Sequence, residues 1–212
     1  MAVKEAALFR LIKLEPHVAL IPVKHAVVEA EWKACRKLIK EVCLEQGWDE
    51  VDELLERYAR PGWSDTWLAS NLTGDVMGAV MLTEGHLPMM ELSGGWPRLQ
   101  LQGNRPAEVS IIAVLKEHRT HGVDLALLRQ IETHSREVGI TDWYVVFDDR
   151  RFALYTGIGL PFEEVPESEG GGRHEFWGEE CFPARLNRAK GEAYVKQYSP
   201  TLYKILANGN HD

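Results

Sequence analysis

The run HRTHGVDLALL, His118 to Leu128, sets Arg119 and Gly122 just ahead of an apolar-periodic helix. Unpaired N–H groups and the positive dipole end at such a junction attract an anion, and a phosphate is the natural guest. Thr120 and Val123 share that turn with them. The same residues also read as an ordinary strand-to-helix connection carrying a solvated arginine. Upstream, Glu108 opens a β-rich run, where a carboxylate can take a proton from an amine through a water. It reads equally as a strand-edge charge. Tyr155 follows the next strand on a short helix; its phenol, with a pKa near 10, can protonate a departing group or simply pack. His118 and His121 have H-x-x-H spacing, but no third ligand adjoins them, so no metal is expected. Cys181 has no base beside it in sequence and reads as a core thiol.

The elements that must position these residues follow from periodicity. Val18 to Val23 predicts a first strand, short or at an edge because Pro22 has no N–H to donate. Val28 to Leu44 carries apolar residues at helical spacing and stops at Gly47. Val51 to Tyr58 predicts a short helix. Thr66 to Ser70 and Asp75 to Leu82 flank Leu72-Thr73-Gly74 and predict a hairpin. Residues 84–106 hold four Gly and three Pro and read as an irregular loop over the substrate. Glu108 to Leu115 predicts a strand, Val123 to Val138 a helix, Asp142 to Phe147 a strand and Arg151 to Ile158 a short helix. Phe162 to Val165 and Glu175 to Leu186 predict the last strands. The expected fold class is α/β (α+β): one domain over residues 1–206 with a mixed, mostly antiparallel sheet of six or seven strands flanked by helices. Residues 207–212 are expected to be a disordered tail.

Composition removes several functions. The chain has 212 residues, 24 basic against 32 acidic, for a formal charge of −8, so a general nucleic-acid binder is excluded. Apolar runs fall far short of the roughly 20 residues of a membrane span. Lys4, Glu5, Arg10 and Lys13 interrupt the first sixteen residues, so no secretory apolar region is read there. Three cysteines, Cys35, Cys43 and Cys181, are too few for a disulfide framework. The expected location is the cytoplasm.

Glu108 to Phe162 as a whole resembles the GCN-type N-acetyltransferase (GNAT) superfamily. ALYTGIGLPF, Ala153 to Phe162, is similar to its tyrosine-bearing helix and the following strand start. HRTHGVDLALL is similar to its phosphate-binding loop, usually Arg-Gly-x-Gly-x-Gly/Ala, and Arg119 and Tyr155 lie a suitable 36 residues apart. Thr120 and Asp124 stand where the family pattern has its first and third small residues. A carboxylate there repels a pyrophosphate, and a single phosphodiester tolerates it better. EVSIIAV, Glu108 to Val114, resembles the glutamate-led strand of acyl-homoserine-lactone (autoinducer) synthases and long-chain N-acyl amino acid synthases. Residues 75–82 and 41–48 resemble them too. Ile39 stands where the lactone synthases usually carry an arginine, so the N-acyl amino acid synthase branch fits better.

The resemblance implies an acyltransferase with a central splay in its sheet. The implied donor is an acyl-phosphopantetheine thioester on acyl carrier protein, or else acyl-CoA, with no tightly bound cofactor. The implied acceptor is the amine of an amino acid or similar small molecule. It casts Glu108 as the base and Tyr155 as the acid. Main-chain N–H groups from Ile112 to Val114 could hold the oxyanion if their strand bulges or splays. Arg119, Thr120, Gly122 and Val123 would hold the phosphate. Lys116, Arg129, Arg150 and Arg151 could join Arg119 in a basic patch for an acidic carrier protein. A CoA-dependent acetyltransferase and a catalytically dead ligand- or partner-binding module are the alternatives.

Overall fold

This computed structural model describes residues 17–48 and 51–207; the expectations for the first sixteen residues and for 208–212 lie outside that range. The strands are β1 (Val23–His25), β2 (Asp65–Ser70), β3 (Val76–Glu84), β4 (Pro106–Val114), β5 (Asp142–Phe147), β6 (Glu163–Glu164), β7 (His174–Phe176) and β8 (Glu179–Asn187). The helices are α1 (Glu29–Glu45), α2 (Val51–Tyr58), α3 (Pro88–Ser93), α4 (Val123–Val138), α5 (Asp149–Gly157), α6 (Arg188–Tyr198) and α7 (Pro200–Ala207).

The sheet runs β1-β2-β3-β4-β5-β8-β6, with β7 paired to β8. Every pairing is antiparallel except β4 with β5. One face packs on α4, α6 and α7 through residues such as Leu127, Ile131, Trp143, Phe182 and Leu202. The other packs on α1, α2 and α3 through Trp32, Ile39, Leu54, Tyr58 and Met90. Helix α4 can sit close over β3 because Gly78 has no side chain: a Cβ there would lie 2.8 Å from Val123 Cγ1 and 3.2 Å from Leu127 Cδ1. Glu31 steadies the start of α1 by accepting from the Val27 and Val28 N–H groups at 2.9 and 3.2 Å, satisfying donors that a helix start leaves open.

Several expectations shift. The first strand is Val23–His25 and not Val18 to Val23; Val18 is helical, and the strand begins only after Pro22. Among the described residues there are eight strands, because the expected last one folds back on itself. Trp177 and Gly178 have φ of 52° and 75°, and a two-residue turn with both φ positive suits a tight hairpin between β7 and β8. The 84–106 loop contains α3. Beyond β8, α6 and α7 form where no element was expected, so Ala207 ends a helix. None of the helices is long and apolar enough to cross a membrane among the described residues.

Candidate active site

Strands β4 and β5 pair only at Pro106↔Asp142, Ala107↔Trp143 and Glu108↔Tyr144. Beyond Glu108 they diverge, and the wedge between them is a cleft of about 630 Å³ including its mouth. Val109, Ser110, Ile111 and Ile112 line it from β4, and Val145, Val146 and Phe147 from β5. Met89 of α3, Leu128 of α4, Tyr155 of α5, Phe162 and Trp48 close it. The walls are apolar and suit a hydrocarbon arm.

A bulge divides β4. Met81 pairs with Ile111 and Leu82 with Val109, leaving Ser110 as the extra residue. Past the bulge the ladder alternates strictly. Leu115 donates to the Met77 carbonyl, so the alternate residues Ile112 and Val114 turn their main-chain groups away from β3 and toward the wedge. The Val114 carbonyl accepts from Arg119 Nε at 3.0 Å. The Ile112 N–H borders the cleft.

Glu108 is fully buried. Its carboxylate accepts from the Met89 N–H at 2.9 Å and the Met90 N–H at 3.4 Å, satisfying donors at the start of α3. The Ser110 hydroxyl lies near enough to favour the charged form, although its oxygen makes no well-formed hydrogen bond. Burial outweighs these partners and raises the Glu108 pKa to about 7. The carboxylate therefore stands behind the cleft wall, between Met89 and Ser110, rather than at an open strand end.

Gly122, with φ of 78°, leads into α4 as its N-cap, and Val123 is buried behind it. Thr120 is exposed. Arg119 makes two hydrogen bonds to the Glu45 carboxylate, at 3.0 and 2.5 Å, so its guanidinium bridges the end of α1 and the end of β4. Burial, with the nearby Asp124 charge adding to it, raises the Tyr155 phenol above its usual range. Tyr155 packs on Phe147 with ring centroids 5.5 Å apart. All three cysteines are buried and free. Burial raises Cys35 and Cys43 to about 12 and Cys181 to about 11, so none supplies a thiolate nucleophile near neutral pH.

Two features escaped sequence reasoning. Arg151, read only as part of a basic patch, stacks its guanidinium 4.3 Å from the Trp48 ring at the cleft and pairs with Asp148 and Glu179. Met89 and Met90 were hidden in a loop read as irregular. Among the tryptophans, Trp48 lines the cleft, whereas Trp67 is core and Trp96 donates to the Gly172 carbonyl. Within the expected basic patch, Arg119 is paired to Glu45 and burial depresses the Arg129 pKa.

No protein-family model and no curated protein sequence matches the chain. Solved structures do. FeeM, an N-acyl amino acid synthase from uncultured soil microbes, is 17% identical with a TM-score of 0.64, covering 82% of this chain and 94% of that one. A GNAT-family acetyltransferase from Staphylococcus aureus Mu50 is 15% identical with a TM-score of 0.53, covering 78% and 99%. Tetrahymena GCN5 is 12% identical with a TM-score of 0.52, covering 78% and 96%. The chain has the GNAT fold, an open sheet with helices on both faces and a wedge between two parallel strands.

Proposed function

We propose that this chain is an N-acyltransferase that moves a fatty acyl group from an acyl carrier protein thioester to the amine of an amino acid or a similar small molecule. The single observation that carries the reading is the apolar wedge between β4 and β5, which Ile112 and Tyr155 line and behind whose wall Glu108 is buried. The likeness to an N-acyl amino acid synthase supports the same branch.

The chemistry follows from the chain's own groups. The acceptor amine arrives protonated near neutral pH and loses its proton, by way of a water, to Glu108. That carboxyl's pKa of about 7 suits proton exchange at that pH. The free amine attacks the thioester carbonyl, and the Ile112 N–H, turned toward the wedge, stabilises the oxyanion. Tyr155 gives its proton to the departing thiolate as the intermediate collapses and regains one from the attached nitrogen, which becomes the amide. No covalent bond to the protein forms. The phosphate of the pantetheine arm meets the start of α4 at Gly122 and Val123, flanked by Thr120 and Arg119. Asp124 near Tyr155 disfavours the extra charge of a pyrophosphate, which argues for a carrier-bound donor over CoA.

Incubating the protein with matched acyl carrier protein and acyl-CoA donors, with pooled amino acids, and following free thiol tests this reading. It expects faster thiol release from the carrier-bound donor. Preference for acyl-CoA would make the chain a CoA-dependent acyltransferase. No release from either, with saturable donor binding, would make it a binding module.

A further inference from the structure

On the sheet face opposite Glu108, away from the wedge, four chemistry-bearing side chains meet. Asp65 begins β2, Glu84 ends β3, His134 rises from α4, and His25 closes β1. Ligand atoms of Asp65, Glu84 and His134 all lie within 4.8 Å of one another. We propose that Asp65, Glu84 and His134 bind a divalent first-row transition-metal ion, with Zn²⁺ the best match, which fastens the outer strands to α4.

The geometry has the polarity of a ligand set. His134 Nε2 is buried without a well-formed hydrogen bond and stands 3.4 Å from Asp65 Oδ2 and 4.0 Å from Glu84 Oε1. Each carboxylate spends its other oxygen on a positioning partner. Asp65 Oδ1 takes His25 Nε2 at 2.9 Å. Glu84 Oε2 takes Arg105 Nη2 at 2.7 Å and Nε at 2.8 Å. Such outer contacts are how metal-binding carboxylates are held in direction. Ligand atoms about 2.0–2.2 Å from a tetrahedral zinc lie roughly 3.3–3.5 Å apart, so the 3.4 Å separation already fits and Glu84 needs only a small rotation.

The surroundings hold the set in place. The Trp67 ring packs against His134 with centroids 5.0 Å apart and against His25 at 5.2 Å, fixing both imidazoles on one aromatic wall. A dication answers both carboxylates and the imidazole nitrogen together. An imidazole with two carboxylate oxygens is a donor set for zinc or its neighbours, whereas calcium and magnesium favour oxygen alone. The residues belong to four elements that meet only in the folded chain, so a bound ion would cross-link β2, β3 and α4. The ion takes no part in acyl transfer and stands whether or not that reading does.

The test is calorimetric titration of the chelator-treated, dialysed full chain with Zn²⁺, paired with the visible spectrum of bound Co²⁺. One ion per chain and a tetrahedral cobalt band are expected, with a melting temperature that rises on Zn²⁺ addition. His134→Gln and Asp65→Asn should each weaken binding at least a hundredfold, and His25→Ala by roughly 10–100-fold, as for an outer partner. Circular dichroism verifies that the variants fold. A His118→Ala/His121→Ala double variant should bind as the parent does. Absence of stoichiometric binding, equal affinity in His134→Gln, or loss in the His118/His121 variant would overturn the site and leave the cluster an ion pair.

Discussion

Glu108 is the residue on which both chemistry and stability turn. Its pKa rises from 4.5 to about 7 in the folded chain, so the folded state keeps a proton that the unfolded chain releases. Its stabilising contribution is complete below pH 4.5 and is lost as pH rises through about 7. The wild type should lose on the order of 3 kcal/mol of denaturant stability from this group between about pH 5 and about pH 8. Glu108→Gln should lack that component, which denaturation midpoints at the two pH values measure. Turnover should run the other way, rising through pH 7 as the base form populates. Glu108→Gln should cut it about 10²–10⁴-fold, with Michaelis constants little changed. Tyr155→Phe should contrast: burial holds the phenol protonated above its usual range, so its kcat defect should stay flat to the alkaline end of the profile. Arg119→Ala should raise the donor KM at least tenfold, since one charge-assisted phosphate contact contributes roughly 1.5–3 kcal/mol. An unchanged KM would leave Arg119 as the bridge between Glu45 and Val114 alone. That bridge was invisible in the sequence, because Glu45 and Arg119 are 74 positions apart.

Among the elements, α4 was legible to the residue. Val123, Leu127, Leu128, Ile131 and Val138 form one stripe, and Gly122 and Gly139 bracket it with left-handed caps. The first strand misled because Val18 to Val23 is apolar throughout, and apolarity alone does not distinguish a helical turn from a strand. Helix α6 escaped because Gly191 sits in its middle and its apolar face is weak, burying only Gly191 and Val195. Helix α3 has six residues, opens on Pro88 and depends on Glu108, a partner 18 and 19 positions from the N–H groups it caps. The wedge and its flanking elements were therefore anticipated, while the Glu108 contacts that set its basicity were not. The docking of α4 can be tested at Gly78. Gly78→Ala forces a methyl against Val123 Cγ1 and the Ala113 carbonyl, 2.8 and 3.0 Å away. Overpacking of this kind costs about 1–3 kcal/mol, so the melting temperature should fall, and donor KM should rise as the start of α4 is displaced.

At the scale of the whole molecule, the segment from β3 to β4 works as a strap across the wedge. Trp96 Nε1 donates to the Gly172 carbonyl, the Gln100 N–H to the Glu169 carbonyl, and the Gln102 N–H to the Tyr144 hydroxyl. The strap thus ties α3, and with it the Glu108 carboxylate, to the β5–β8 half of the sheet. This joins the two diverging halves above the point where β4 and β5 part. The central claim is that an acyl arm enters this wedge and leaves on an amine. Mass spectrometry of the products from purified protein, acyl carrier protein thioester and pooled amino acids tests it most directly. The account predicts an N-acyl amino acid whose mass changes with the acyl chain supplied, formed by the wild type and nearly absent with Glu108→Gln. Consumption of no thioester and formation of no acylated amine by the wild type, with donor still bound, would contradict it.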